Sequence, residues 1–257
     1  MTFAERKALV RSYLGKMVDI EIDRPLGSTH PKHEKTIYKL NYGYVPGVMG
    51  GDGKELDVYL MGVYRPVKRF RARIIGIVHR RHDREDKLVA APRGMEFHQA
   101  EIEEAVRFCE KYFPSYVESI FEKSCGTVSY TLINGRVHYL LIRSRDGYCS
   151  FPKGHMERGE SETDTALRET WEETSVRSDI CCDKRWEISY PIGRGKHKKV
   201  VYFLATFKDQ TPGRNEDFEN NEVLLLPYEE ALAALTHRDT KSMLTEADAA
   251  VKKAANL

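Results

Sequence analysis

Apolar and acidic residues alternate along residues 17–23, MVDIEID, the period-two pattern of a half-buried strand. Ahead of it, residues 1–16 read as a short helix with Phe3, Leu9 and Leu14 partly on one side. Pro25, Gly27 and Pro31 break the strand into a loop, and residues 40–47, LNYGYVPG, read as a turn carrying aromatics. Strand patterns recur at 56–63, 73–79 and 87–91. Residues 96–122 follow a helical pattern whose apolar face is Ile102, Ala105, Val106, Phe108 and Cys109, with Pro114 breaking or kinking it. The character changes at 122–126. Residues 125–130 begin a strand, Asn134-Gly135 is a hairpin signal, and 137–142 return. Further on, 186–190 is a short strand, 193–199 a basic loop, 200–207 a buried strand and 222–226 the last strand. Residues 228–236 open the terminal helix.

Between these halves lies 154–176, GHMERGESETDTALRETWEETSV. Ser161 can cap a helix, and Asp164 three residues later closes a capping box. No Gly or Pro interrupts the run from Glu162 onward. Glu169, Glu172 and Glu173 fall at i, i+3 and i+4, so three carboxylates share one helical face. Like charges at that spacing cost only about 0.2–0.5 kcal/mol per pair, and Arg168, four residues before Glu172, offsets part of that. Taken alone, such a stripe is a solvated acidic face.

The chain of 257 residues suits one large or two modest domains, and 41% hydrophobic with 31% charged residues is a globular composition. A net charge of +2 gives no strong pull toward nucleic acid or anionic membranes, so neither is an expected partner. No apolar run approaches the ~18–20 residues of a membrane span. The N-terminus lacks the apolar core and cleavage site of an export signal. The cysteines at 109, 125, 149, 181 and 182 form no CxxC pair, which fits reduced thiols and a cytoplasmic location. The basic run Arg65, Lys68, Arg69, Arg71, Arg73 reads as alternating charge on the solvent side of a strand, because no aromatic stacking series accompanies it.

The spacing of Gly154, Glu160, Arg168-Glu169, Glu172-Glu173 and Val176 changes the reading of the acidic stripe, because it resembles the Nudix box. Two positions depart from the family pattern: Thr170 replaces an aliphatic residue and Ser175 a glycine. The resemblance implies an α/β/α sandwich over about 123–250 and hydrolysis of a phosphoanhydride. It implies Glu169, Glu172 and Glu173 as catalytic ligands of Mg²⁺, with Mn²⁺ as an alternative and the Gly154 carbonyl as a backbone ligand. Glu160 and Arg168 would brace the loop and helix. The flanking words Phe151-Pro152-Lys153-Gly154-His155 and Lys199-Val200-Val201-Tyr202-Phe203 resemble the asymmetrical diadenosine tetraphosphate hydrolases, a subgroup in which Thr170 is also at home. That likeness implies a nucleoside polyphosphate substrate held by Lys153, Tyr190, Lys196, Lys198 and Tyr202, although a strand at 200–207 equally allows Tyr202 to face a core. It also implies a fourth catalytic acid at Glu219, with Glu222 in reserve.

The first half resembles soluble inorganic pyrophosphatase over roughly 17–117, on Asn41-Tyr42-Gly43-Tyr44, Asp52-Gly53 with Asp57, and Glu85-Asp86-Lys87. The resemblance implies metal at Asp52 and Asp57 and phosphate at Tyr44 and Lys87. Lys54 stands where the family has an acid, and a cation there repels Mg²⁺, so these four residues are expected to form a vestigial site. Two domains are therefore expected: an N-terminal β-barrel of the pyrophosphatase, OB-like α+β kind at 1–122, and the Nudix sandwich at 123–257. Other readings are another Nudix substrate such as a nucleoside triphosphate or 5′-phosphorylated RNA, a nucleotide-sensing or scaffold protein, and an active pyrophosphatase in the first domain.

Overall fold

The computed structural model describes residues 2–31, 33–81, 85–193, 195–213 and 221–255. Two compact units partition the chain: Met1–Glu122 with Pro191–His197, and Lys123–Tyr190 with Lys198–Leu257.

The first unit opens with α1 (Phe3–Ser12), capped by Thr2 in a box closed by Glu5, and continues through β1 (Met17–Arg24), β2 (Thr29–His30), β3 (His33–Ile37), β4 (Asn41–Met49), β5 (Glu55–Leu60), β6 (Arg69–Arg80), β7 (Lys87–Ala91), α2 (Gln99–Glu110) and β8 (Ser115–Ser119). The sheet runs β1-β4-β5-β7-β6-β8, and β1 also pairs with β6, so five strands close into a barrel with β8 added at β6. Inside it, Val18, Ile20, Ile22, Leu56, Val58, Leu60, Ile74 and Leu88 make the core. The alternation at 17–23 is thereby explained, as is the basic run: Asp19 faces Arg71 and Glu21 faces Arg69 across the ladder, with Arg69 Nη2 2.7 Å from Glu21 Oε1. α1 is fastened by a buried polar knot, in which Lys7 Nζ donates to Asp86 Oδ1 and to His79 Nδ1, both at 2.8 Å. With Nδ1 accepting, the imidazole proton sits on Nε2, 3.1 Å from Glu118 Oε2.

Two expectations fail here. The segment 40–47 is strand, not turn, because Tyr42, Gly43 and Tyr44 pair on both sides, with β1 and with β5. The helical run expected at 96–122 ends at Glu110, before the break expected at Pro114; what differs is the continuation, since residues 115–119 pair with β6 as a strand instead of resuming a helix.

The second unit contains β9 (Phe121–Ile133), β10 (Arg136–Arg143), β11 (Cys149–Ser150), β12 (Lys153–His155), α3 (Glu162–Thr174), β13 (Asp179–Gly193), β14 (Lys196–Thr206), β15 (Glu222–Pro227), α4 (Tyr228–Ala234) and α5 (Arg238–Ala255), with the first residues of β9 and the β13–β14 tip falling in the other unit. The hairpin at Asn134-Gly135 has φ of 50° and 75°. The sheet runs β11-β10-β9-β14-β13, with β12 on β9 and β15 on β10. Side chains sort by parity. Val137, Tyr139, Leu141, Val200, Tyr202 and Leu204 pack with Met243, Leu244, Ala247 and Val251 of α5. Val201 and Phe203 pack with Cys125 and with Ala166 of α3. The sheet thus lies between α3 on one face and α4 with α5 on the other. Tyr202 belongs to the α5 face, 2% exposed with its ring centroid 5.8 Å from Phe151, so it is a core residue and not the substrate-binding tyrosine expected. The basic loop expected at 193–199 is also corrected: β13 runs to Gly193 and β14 starts at Lys196.

α3 starts as its sequence dictates, with Ser161 Oγ accepting from the Asp164 amide and Asp164 answering to the Ser161 amide. Glu162 in the first turn is clamped by Arg185 and by Lys123 Nζ at 2.8 Å. Ser175 ends the helix at φ 57°, ψ 17°, a left-handed conformation that favours glycine. Ser175→Gly should therefore raise stability by about 0.5–1 kcal/mol, read as a higher urea midpoint at unchanged slope. Hydrogen bonds from Arg168 hold Glu160, and those from Arg185 and Lys123 hold Glu162, down at about 2, below the ordinary 4.5. Stability from these acids is complete above pH 4.5 and is lost as the pH falls toward 2. Glu162→Gln should flatten that part of the Tm profile between pH 5 and 2.

Candidate functional site

Three short segments build the site. The edge strand β12 pairs with β9 at Lys153↔Gly126, Gly154↔Cys125 and His155↔Ser124. A Cβ on Gly126 would stand 2.1 Å from the Pro152 carbonyl oxygen, and one on Gly154 would stand 1.9 Å from Glu169 Oε2. Glycine at 126 lets β9 and the 152–153 backbone approach closely, and glycine at 154 leaves room for the Glu169 carboxylate of α3 against β12. Glu173 Oε2 accepts from the Lys153 amide at 2.8 Å.

Arg168 ties the arrangement together. Its Nε and Nη2 donate to Glu160 at 2.6 and 3.0 Å, Nη2 also donates to the His155 carbonyl at 3.0 Å, and Nη1 donates to Glu169 at 2.8 Å and Glu172 at 3.0 Å. All five guanidinium protons are engaged, which only an arginine can do. Burial pushes the Glu169 carboxyl up, against the pull of Arg168.

Glu169, Glu172 and Glu173 line one open cavity of about 580 Å³ together with Gly154, Lys153 and Lys198. His155 and Glu157, which carried no role in the sequence reading, line it too; their place next to Gly154 was the available signal. Lys198 Nζ lies 3.5 Å from His155 Nε2. The lining thus carries the acids of α3 and lysines from β12 and β14. An all-oxygen donor set of this kind suits a hard divalent cation. As the side chains stand, no three such groups among the described residues converge on one point. Arg168 Nη1 lies between Glu169 and Glu172 in the role of a cation, and Glu173 turns to the Lys153 amide. The donor types fit Mg²⁺.

The other expected residues are dispersed. Tyr190 is 37% exposed on β13, close enough to Tyr148 and Tyr202 to influence both. Tyr202 is buried beneath, its phenol raised well above the ordinary value by burial first and then by Tyr148, Tyr190 and Glu173. Lys196 does not line the cavity; its Nζ is 3.5 Å from Glu118 Oε1, both in the first unit. Glu219 lies outside the described residues. Glu222, its reserve, is exposed on β15 and pairs with Arg143 at 3.0 Å.

The first unit has its own cavity, of about 960 Å³, lined by Tyr38, Tyr42, Tyr59, Arg80, Glu85 and Lys87 among others. Of the four residues expected there, only Lys87 lines it directly, and Asp57 is bound to it from behind. Lys87 Nζ donates to Tyr42 Oη at 2.5 Å, Asp57 Oδ2 at 2.7 Å and Glu85 Oε1 at 3.1 Å. Tyr42 therefore takes the place expected of Tyr44, which faces Glu21 across the β1–β4 ladder and bonds it at 2.9 Å. Asp52 accepts from the Lys54 amide within an exposed turn and is no part of this cavity. Arg80 is clamped by Glu110 at 2.8 and 2.9 Å, stacks 3.7 Å over Phe113 and reaches Glu85 at 3.3 Å. Burial and the bond to Asp57 raise Glu85 to about 7. Burial would raise Asp57 too, yet bonds from Glu85, Lys87 and Tyr42 keep it low.

Comparison with known proteins follows these two units. A family model described as NUDIX domain matches residues 125–246, and one described as inorganic pyrophosphatase matches 15–125. An asymmetrical bis(5'-nucleosyl)-tetraphosphatase from Mus musculus is 32% identical over 135 residues, 48% of this chain and 91% of that protein. A putative mutator protein, MutT4, from Mycobacterium tuberculosis is 33% identical over 108 residues, 40% of this chain and 42% of that one. Among solved structures, a Caenorhabditis elegans Ap4A hydrolase in binary complex is 26% identical at a TM-score of 0.46, covering 51% of this chain and 98% of that one. An inorganic pyrophosphatase from Ehrlichia chaffeensis is 19% identical at a TM-score of 0.33, covering 41% and 87%. With its acid-bearing helix seated over a glycine strand and a tetraphosphatase relative matched over nearly its whole length, the chain belongs to the Nudix hydrolases, preceded by an inorganic-pyrophosphatase domain.

Proposed function

We propose that residues 123–257 hydrolyse a phosphoanhydride of a nucleoside polyphosphate with Mg²⁺, in first place a dinucleoside tetraphosphate to a mononucleotide and a nucleoside triphosphate, while residues 1–122 bind without hydrolysing. The observation that carries this reading is the cavity that the three α3 carboxylates line together with Lys153 and Lys198. The tetraphosphatase relative supports the choice of substrate.

Glu169, Glu172 and Glu173 with the Gly154 carbonyl would hold the metal, which when bound supplies charge neutralisation at phosphorus and a polarised water. Lys153 and Lys198, as point charges, receive the phosphate oxygens opposite, and His155 adds a ring nitrogen to that wall. Water attacks one phosphorus, the bridging P–O bond breaks, the leaving phosphate keeps the bridging oxygen with its electron pair, and the proton that the water gives up passes to solvent. Arg168 keeps Glu169 and Glu172 aligned while bracing the loop at Glu160. Tyr190 offers an exposed face for a nucleobase. Glu219 is retained as an additional acid.

In the first unit the case for binding without turnover rests on saturation. Lys87 gives its three protons to Tyr42, Asp57 and Glu85, and Arg80 is held by Glu110 and Glu85. The cations that would meet a diphosphate are already neutralised by the chain's own acids, and Asp52 accepts from the Lys54 amide in an exposed turn.

Glu173→Gln keeps an oxygen to accept the Lys153 amide but weakens a cation ligand. Its kcat on dinucleoside tetraphosphate should fall at least about a hundredfold, near 2.7 kcal/mol, with Tm unchanged. A panel with nucleoside triphosphates and 5′-triphosphorylated RNA, followed by product chromatography, identifies the preferred substrate; no Mg²⁺-stimulated cleavage of any of them would refute the proposal. The same full-length Glu173→Gln protein should release no phosphate from pyrophosphate with Mg²⁺, and release at a saturable rate would show the first unit to be catalytic.

A further inference from the structure

The buried face of α3 is Thr165, Ala166, Thr170 and Thr174, with no large apolar side chain. Thr170 stands at a position where the Nudix pattern has an aliphatic residue. Its hydroxyl begins a chain of four: Thr170 Oγ1 to Thr127 Oγ1 at 2.7 Å, Thr127 to Ser129 Oγ at 2.7 Å, and Ser129 to Ser178 Oγ at 2.8 Å. The first three residues are fully buried and Ser178 is 7% exposed.

The direction of this chain is fixed from one end. Each hydroxyl carries one proton. The Thr170 proton goes to the Ala166 carbonyl at 2.7 Å, so Thr170 Oγ1 is left as an acceptor. Thr127 must then donate to Thr170, Ser129 to Thr127, and Ser178 to Ser129. An aliphatic residue at 170 would take away the one acceptor that α3 offers Thr127, whose proton would turn to Ser129 Oγ at 2.7 Å and reverse the chain, so the hydroxyl tie between helix and strand would be lost.

The same residues also close a ring between helix and strand. The Thr127 amide donates to the Pro152 carbonyl at 3.3 Å. The next residue, Lys153, donates its amide to Glu173, which is one helical turn beyond Thr170. The ring runs Thr170, Thr127, Pro152, Lys153, Glu173 and back along α3. It sets both the rotation of the helix and its height above the 152–154 peptide.

We propose that Thr170 is a positioning residue: its hydroxyl, held through Thr127, fixes α3 so that Glu173 meets the Lys153 amide and Glu169 lies over Gly154. This rests on the reading of Glu169, Glu172 and Glu173 as the cation-holding acids. It adds that this chain aligns them through a buried hydroxyl instead of an apolar contact.

The test uses the full chain and Mn²⁺ alone, titrated by electron paramagnetic resonance. Thr170→Val should weaken Mn²⁺ binding about tenfold, speed hydrogen exchange at the Lys153 amide, and lower kcat with little change in KM. Thr170→Ser, which keeps the hydroxyl, should stay within about twofold of wild type in all three. Thr127→Val removes the partner without altering the helix and should repeat the Thr170→Val result; it also serves if Thr170→Val does not fold. Unchanged Mn²⁺ binding and exchange in the folded valine variants overturns the proposal, as does equal impairment of Thr170→Ser and Thr170→Val. Wild-type protein with no saturable Mn²⁺ binding overturns the reading of the acids and this inference with it. Wild-type binding with an unaltered Thr170→Val overturns this inference alone.

Discussion

The close approach of α3 to the 152–154 peptide is the constraint on which the rest of the second unit depends. Carboxylates on a helix can act on one point only if the helix is held against rotation, since each residue turns through about a hundred degrees. Apolar packing alone is permissive about such rotations, because a hydrophobic face tolerates small slips at little cost. Here the contact is polar and close. Glycine at 154 removes the side chain that would separate strand from helix, glycine at 126 lets β9 close on the 152–153 backbone, and Glu173 and Arg168 bond directly to backbone atoms of the 153–155 segment. The capping box at Ser161 and the clamp of Glu162 by Lys123 and Arg185 fix the other end of the helix.

The two units handle charge in opposite ways. In the second, acids of α3 and lysines of β12 and β14 line one open cavity of about 580 Å³. In the first, the cations are met by acids within hydrogen-bond range, so the electrostatic work of binding an anion is largely done by the protein itself. A buried pair of this kind is stable as long as both partners remain, and a ligand entering must compete with a carboxylate already in place. The aromatic ladder Tyr38, Tyr42, Tyr59, with ring centroids 5.4 and 4.8 Å apart, holds this arrangement from the side.

Much of this was legible in the residues. The period-two run at 17–23, the Asn-Gly hairpin and the Ser161 cap all read correctly because each depends on local rules that tertiary contacts did not override. What failed depended on partners far along the chain. The aromatics at 40–47 look like a turn until β1 and β5 are placed on either side. Residues 115–119 continue a helical pattern, yet they become the edge strand β8 because β6 offers them a ladder. Tyr44 and Tyr42 share a strand face, and only the register opposite Glu21 decides which of them reaches Lys87. Lys196 and Lys198 differ by two residues, and no sequence signal separates the one that meets Glu118 from the one that lines the cavity.

Closure of the barrel has a consequence for how the chain must be made. β1 pairs with β4 and also with β6, whose ladder with it spans residues 17–21 and 69–73. During synthesis the strand that emerges first keeps one side bare until the sixth has left the ribosome, and contacts so distant in sequence form slowly. Its outward acids, Asp19 and Glu21, are then unmatched like charges on an open edge, the arrangement that discourages wrong pairing between nascent chains. The charges that later find Arg71 and Arg69 thus guard the polypeptide before they serve the finished barrel.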